Sequence, residues 1–392
     1  MSIFVSILGL AVLILVHEAG HFFVARWTGM TPRKFYIGFG APIAKTTRGG
    51  VEYGIGSIPL GGYVKIPGMH RPAPGDLRRS LPPPDRDRLH EHLARLDDAI
   101  ERGDDVTARE RLADLRPHVG DSRAYQELEG SLAEDAYWRQ KTWKRIAVIG
   151  AGPGINVLLA IALFAGLFMV GTIEVTRRVD AVVAEPARSS GMQPGDRILA
   201  IGGKHVAAED IPDAINGTGG RPVTVVVDRA GRRVPLGPIT PRLDEGRYRI
   251  GFRLTGTIGP GESPPAALKD ALAVTWSVTS QTGQTIGRLV TGKGSDEISS
   301  SVGIVRVSSA AFKQGLRDFL SVMGLISLAL ALLNLLPVLP LDGGHIVMSI
   351  AERLRGRAFS QTVYMRFAAF GFALFALLLY LGLRNDLFGG AG

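Results

Sequence analysis

The chain has 392 residues, of which 46% are hydrophobic, and its mean hydropathy of +0.16 is an intermediate value that suggests membrane spans joined to water-exposed segments. Cysteine is absent, which excludes disulfides and thiolate ligands, so any zinc must be held by histidine and carboxylate. The formal charge of +9 comes from cations clustered beside apolar runs, and there is no nucleic-acid motif, so no nucleic-acid partner is expected.

Residues 1–25 form the first predicted span. Ser2 to Val16 carries no charge, and the apolar character resumes at Phe22-Phe23-Val24-Ala25 before the first cation, Arg26. No small-residue cleavage site follows, so a cleaved signal peptide is not expected. Near the far end lies His17-Glu18-Ala19-Gly20-His21. In a helix, His17 and His21 leave the same face one turn apart, close enough to hold one metal ion. Glu18 projects beside them, free to take a proton from a water. Zinc with two histidine ligands and an adjacent unligated glutamate is a metalloprotease arrangement. Ionisable groups at membrane depth are costly and usually functional, which favours this reading over a helix-bridging histidine.

Residues 33–66 read as β-hairpin material, including Ile58-Pro59-Leu60-Gly61-Gly62-Tyr63-Val64. They form either a small soluble sheet or a loop that dips into the membrane beside the metal, where an unpaired edge could take up a substrate segment. Residues 67–84 are a Pro-rich linker. Residues 85–136 read as two or three solvated cytoplasmic helices without assigned chemistry. A second span covers 146–171. Its Gly150-x-x-x-Gly154 step suits close helix packing, Pro153 should bend it, and Asn156 either bridges helices or faces the active cavity as a substrate contact.

The run Gly191-Met192-Gln193-Pro194-Gly195-Asp196-Arg197-Ile198-Leu199-Ala200-Ile201-Gly202-Gly203 sits within residues 175–255, a unit that resembles a PDZ domain. It either binds peptide or caps the membrane part sterically. Residues 256–318 are an extracytoplasmic linker with an amphipathic helix near Ala266 to Leu289 and a short strand at Val302 to Ser308. The third span, 319–342, ends in Asn334-Leu335-Leu336-Pro337-Val338-Leu339-Pro340-Leu341-Asp342-Gly343-Gly344-His345. Asp342 is either the N-cap of the next helix or a third metal ligand, with His345 as a competitor for that role. A fourth span covers 363–383. The cation clusters Arg26 to Arg48, Arg139 to Arg145 and Arg353 to Arg357 fall on one side if the N-terminus and the PDZ-like unit are extracytoplasmic.

Together, His17 to His21, Gly152-Pro153-x-x-Asn156, the PDZ-like unit and Asn334-x-x-Pro337-x-x-x-Leu341-Asp342-Gly343 resemble the site-2 protease family of intramembrane zinc metalloproteases. The closest likeness is to the bacterial group that includes the regulator-of-sigma-E protease, and the Arg- and Ala-rich composition fits an actinobacterial member. The resemblance implies a polytopic α-helical membrane protein with four transmembrane helices, a membrane-associated β-hairpin loop and one inserted extracytoplasmic α+β PDZ-like domain. It implies one Zn2+ held by His17, His21 and Asp342, with Glu18 activating water. Asn334 would hold the substrate strand or stabilise the oxyanion, and Gly61, Gly62 and Tyr63 would belong to the substrate-facing β-loop. The implied setting is the bacterial plasma membrane, and the implied partners are the lipid bilayer and a transmembrane substrate, a single-pass anti-sigma factor. A single PDZ-like unit and the 85–136 insertion depart from the sigma-E protease pattern. The rival reading is a non-catalytic PDZ-bearing membrane scaffold with a structural metal. A metal transporter would need acidic or histidine residues along several spans, which the second and fourth lack.

Overall fold

A computed structural model of the chain describes residues 2–73, 75–171, 173–244, 247–290 and 301–388. The backbone divides into two compact units, one of Met1–Ala165 with Leu268–Gly392 and one of Gly166–Ala267.

The larger unit opens with helix α1 (Ser2–Trp27) and an antiparallel hairpin of β1 (Lys34–Arg48) and β2 (Val51–Lys65). The hairpin is folded back on itself. Lys34 to Ile37 pair on one side with Glu52 to Ile55 and on the other with Gly62 to Lys65, while Pro42 to Arg48 pair with Val51 to Gly56. Four segments therefore lie in the order 42–48, 51–56, 34–39, 58–65, with Gly61-Gly62-Tyr63 on an edge. The bend is made at Gly38 and Gly40, whose φ of 82° and 87° suits glycine and strains other residues.

Helices α2 (Asp76–Ser80), α3 (Pro83–Arg88), α4 (His90–Arg102), α5 (Asp105–Val119) and α6 (Arg123–Leu132) follow. They outnumber the two or three expected because Leu77 and Leu81, inside the Pro-rich stretch, join the same leucine core as Leu89, Leu93, Leu96 and Leu112. Pro83 and Pro84 do not prevent α3, since proline lacks only an N–H that the first helical turn leaves unused. Helix α7 (Thr142–Val170) comes next.

The smaller unit is an antiparallel sheet with strand order β10-β3-β4-β6-β7. Its strands are β3 (Ile173–Val182), β4 (Arg197–Ile201), β6 (Val223–Arg229), β7 (Arg232–Ile239) and β10 (Phe252–Ile258), with β5 (Lys204–His205) beside β4. Helix α8 (Ile211–Asn216) and the hairpin β8 (Arg242–Asp244) and β9 (Arg247–Arg249) complete it. Ile198, Ile211, Val225, Val227 and Ile250 fill its core. The turn before β4 is held by Asp196, which is 1% exposed, accepts from Arg229 Nε and Nη2 at 2.8 Å each and accepts from the Gln193 N–H at 2.9 Å. Burial pushes the Asp196 carboxyl up, but the Arg229 and Gln193 hydrogen bonds and the guanidinium charge outweigh it and hold the group below its ordinary value.

The chain then returns to the larger unit through α9 (Pro264–Val290), α10 (Ser301–Gln314), α11 (Leu316–Asn334), α12 (Asp342–Arg355) and α13 (Gln361–Phe388). Part of the 256–318 stretch, at 291–300, lies outside the described residues. The strand expected at Val302 to Ser308 is helical. There the Ser308 hydroxyl donates to the Val305 carbonyl at 3.1 Å, and Phe312 packs edge-on against Phe319. Tertiary packing overrides the weak β preference of its valines. Among the described residues α1, α7 and α11 are long and apolar enough to cross a membrane, with 18-residue windows of mean hydropathy 2.2, 2.2 and 1.9. The described apolar part of α13, Thr362–Leu374, is shorter than a crossing.

One buried polar network ties the start of α7 to α12. Glu352 receives the Arg145 guanidinium through one oxygen, and the other accepts from the Phe359 N–H at 2.6 Å and the Tyr364 hydroxyl at 3.4 Å. Tyr137 lies under the Arg145 guanidinium at 4.7 Å and shares a 3.0 Å hydrogen bond with Ser349. Both ends of the ion pair are nearly water-free, at 5% and 3% side-chain exposure, so removing one leaves an uncompensated charge.

Two outcomes follow from these buried charges. Glu352→Ala should lose on the order of 3–5 kcal/mol in a detergent unfolding assay, and replacing both Arg145 and Glu352 by methionine should recover most of it. Asp196→Asn should lower the protection of β4 amides against hydrogen exchange by on the order of 2 kcal/mol at pH 7. The depressed carboxyl contributes stability that is present above its unfolded pKa of about 3.9 and is lost as pH falls through the folded value, so protection in the two proteins should converge on acidification.

Candidate metal centre

Helix α1 is apolar along nearly its whole length, which leaves its two histidines no aqueous face. His17 and His21 are 6% and 7% exposed and point toward α7. The two helices can approach because glycine faces glycine-sized space on both sides. A Cβ at Gly20 would lie 2.6 Å from the Ala151 carbonyl oxygen. A Cβ at Gly152 would overlap His21 Nε2 and come within 2.8 Å of His17 Nε2. By contrast, a Cβ at Gly150 or Gly154, the step expected to pack, would meet nothing within 4 Å. Val148 of α7 offers its carbonyl oxygen to His21 Nδ1 at 2.8 Å.

The third member arrives from 321 residues further along the chain, counting from His21 to Asp342. Helix α11 ends at Asn334, and the chain turns through Leu335 to Leu341 into α12. Gly343 lets this turn close tightly, because a Cβ there would overlap the Leu335 and Leu336 carbonyl oxygens. Leu341 occupies the N-cap position, and Asp342 is the first helical residue, so its carboxylate is free of a capping role. Asp342 Oδ2 lies 3.2 Å from His17 Nε2 and 3.4 Å from His21 Nε2, and the two Nε2 atoms are 3.3 Å apart. Tetrahedral bonds of about 2.0–2.1 Å to zinc would separate ligand atoms by about 3.3 Å. Asp342 Oδ2 is also buried with no hydrogen bond of good geometry, an oxygen awaiting a partner. The three atoms could therefore hold one zinc ion.

Other predicted site residues fall at graded distances from this centre. Glu18 is half-buried on the same turn of α1, with the Val64 backbone amide facing its carboxylate. A Cβ at Gly62 would lie 3.3 Å from Glu18 Cγ, so the edge segment of β2 runs directly beside the glutamate. Gly61, with φ 90°, abuts the Phe39 ring. Tyr63 stacks on Tyr36 at 5.3 Å and on Phe39 at 6.3 Å, which stiffens that edge. Asn334 is half-buried and turns its amide back to the Leu330 carbonyl at 3.0 Å. Asn156 is fully buried, 3.3 Å from His17 Nδ1. His345 stands apart from the trio and stacks on Tyr364 at 6.0 Å. Sequence reasoning gave the Val148 carbonyl no place and took Gly152 only as part of the Gly152-Pro153-x-x-Asn156 motif, with no role of its own. The signal for both is their four-residue spacing with Asn156 on one face of α7.

Helices long and apolar enough to cross a membrane thus bring together two histidines, a carboxylate and a neighbouring glutamate, the kinds of side chain from which a metalloprotease centre can be built. A family model described as peptidase family M50 matches residues 5–378. A protein of Agrobacterium fabrum named as a zinc metalloprotease is 32% identical over 369 residues, covering 90% of this chain and 86% of its own length. One from Rhizobium meliloti with the same kind of name is 31% identical, covering 96% and 94%. The metalloprotease MmpA of Caulobacter vibrioides is 30% identical, covering 96% and 93%. The chain belongs to peptidase family M50, the site-2 protease family. It is a metalloprotease, and zinc is its cofactor. Membership sets aside the non-catalytic scaffold.

Gly152→Ala should abolish stoichiometric zinc binding by the purified protein, because the added methyl occupies the space in front of both imidazoles. Gly150→Ala and Gly154→Ala should keep their zinc, as measured by elemental analysis after dialysis.

Proposed function

We propose that this protease hydrolyses peptide bonds within membrane-spanning segments of other proteins, with His17, His21 and Asp342 as zinc ligands and Glu18 as the general base. One observation carries the reading: three ligand-type atoms spaced for one ion converge between helices apolar enough to cross a bilayer. Zinc bound there supplies Lewis-acid activation of water and polarisation of the scissile carbonyl. The protein's own residues do the rest. Glu18 takes the proton from the attacking water and delivers it to the leaving amine. Asp342 contributes the negative charge that two neutral imidazoles lack.

A transmembrane helix conceals its carbonyls in internal hydrogen bonds, so it has to be opened before attack. The edge of β2 at Gly61-Gly62-Tyr63 offers backbone groups to an unwound segment a few ångströms from Glu18, in the manner of an added strand. The Asn334 amide, at the end of α11, is the side chain that would turn toward substrate or oxyanion once it leaves the Leu330 carbonyl. In this reading α13 is a fourth span, the smaller unit is a PDZ-like domain on the extracytoplasmic side, and the chain sits N-terminus outward in a bacterial plasma membrane. The substrate class is a single-pass protein, with an anti-sigma factor already shortened by another protease as the instance that the family likeness suggests. The antiparallel sheet with β10 on its edge supports the PDZ-like assignment.

Glu18→Gln should keep stoichiometric zinc and lose cleavage of a co-reconstituted single-pass substrate by at least about a hundredfold, the scale of general acid-base catalysis. Full activity in that variant would refute the assigned base. Asp342→Ala should lose zinc, measurable as metal content in detergent, and an unchanged content would remove Asp342 from the ligand set.

A further inference from the structure

Val148, Gly152 and Asn156 are four residues apart on α7 and so share one helix face, the face turned to His17 and His21. Each does something different there. The Val148 carbonyl meets His21 Nδ1 at 2.8 Å, Gly152 leaves the space in front of the two Nε2 atoms, and Asn156 Nδ2 lies 3.3 Å from His17 Nδ1, with Oδ1 turned away.

A carbonyl oxygen only accepts, so His21 carries its proton on Nδ1, and in the neutral ring Nε2 keeps a lone pair. At His17 the choice is open, because an amide either donates through Nδ2 or, after a half-turn, accepts through Oδ1. If Nδ2 donates, the His17 proton is driven to Nε2, the atom 3.2 Å from Asp342 Oδ2 and 3.3 Å from His21 Nε2. That ring could not ligate an ion. If Oδ1 accepts, the proton stays on Nδ1 and the Nε2 lone pair faces the other two ligand atoms. Asn156 Oδ1 is buried and has no hydrogen-bond donor of its own, and Asn156 is 0% exposed, so no water competes for either end of the amide.

We infer that Asn156 is a positioning residue: its Oδ1 accepts the Nδ1–H of His17 and holds that imidazole in the tautomer and orientation that can bind zinc, as the Val148 carbonyl does for His21. The inference rests on the zinc-ligand reading of His17 proposed above. It takes Asn156 out of the set of substrate contacts and places it behind the metal. Groups in this position typically change metal affinity by 10–100-fold when removed.

The test uses the full-length protein in detergent, with zinc affinity read by chelator competition and ligand geometry by the visible spectrum of the cobalt(II)-substituted form. Asn156→Ala should weaken zinc binding by about 10–100-fold and shift the cobalt spectrum. Asn156→Asp, which can only accept, should restore affinity to within a few-fold of wild type. Where the aspartate variant fails to fold, imidazole 15N shifts of the metal-free wild type decide the matter: a proton on His17 Nδ1 supports the inference, and one on Nε2 overturns it. An Asn156→Ala protein with wild-type affinity and an unchanged cobalt spectrum also overturns it. His17→Ala separates the two layers. Loss of zinc in that variant with no effect in Asn156→Ala sinks this inference alone, whereas zinc retained in His17→Ala removes the ligand reading and the inference with it.

Discussion

The close approach of α1 and α7 is the constraint on which the rest of the larger unit depends. Two helices normally keep 8–10 Å between their axes because side chains intervene. Here Gly20 brings α1 onto the Ala151 carbonyl, and Gly152 withholds a side chain from the space in front of the imidazoles. The contact makes α7 a backing plate for the two histidines, with a carbonyl behind one ring and an amide behind the other. Without it, His17 and His21 would still share a face of α1, but nothing would stand behind either ring to fix its orientation.

The second half of the centre is held by different means. Asp342 stands on the first turn of α12, and that helix is fastened to the start of α7 by the Arg145–Glu352 pair and by the Tyr137–Ser349 hydrogen bond. A buried ion pair is a poor source of net stability, but separating its ends would leave two uncompensated charges, so this one keeps α12 against the start of α7. The glycine at 343 then folds the preceding turn tightly enough to aim the carboxylate at the histidines. Thus α7 serves as the common reference for both halves, touching the histidines through its middle and α12 through its first turn. The edge of the β1–β2 hairpin is brought to Glu18 by the absence of a side chain at Gly62.

Much of the centre was legible in the sequence because it rests on local periodicity. The four-residue spacing of His17 and His21 fixes a shared face in any helix, and the paired prolines and glycines around Asp342 mark a turn between two helices. What escaped reading depends on pairing across long separations. Gly150 and Gly154 form the familiar small-residue step, yet they lie about 200° around the helix from Gly152, and only the crossing with α1 reveals which face matters. Arg145 and Glu352 are 207 residues apart, and nothing in either neighbourhood announces the other. The stretch at Val302 to Ser308 failed for the opposite reason, because its local β preference was genuine but was overruled by packing on neighbouring helices.

The proposed centre requires one ion held between α1 and α12 against α7. X-ray absorption at the zinc edge of the purified, detergent-solubilised protein tests this directly. Two imidazole nitrogens near 2.0 Å with low-coordinate oxygen neighbours are predicted, and the imidazole contribution should vanish in the His17, His21 double alanine variant. A zinc surrounded by oxygen alone, or a spectrum unchanged by removing both histidines, would contradict it.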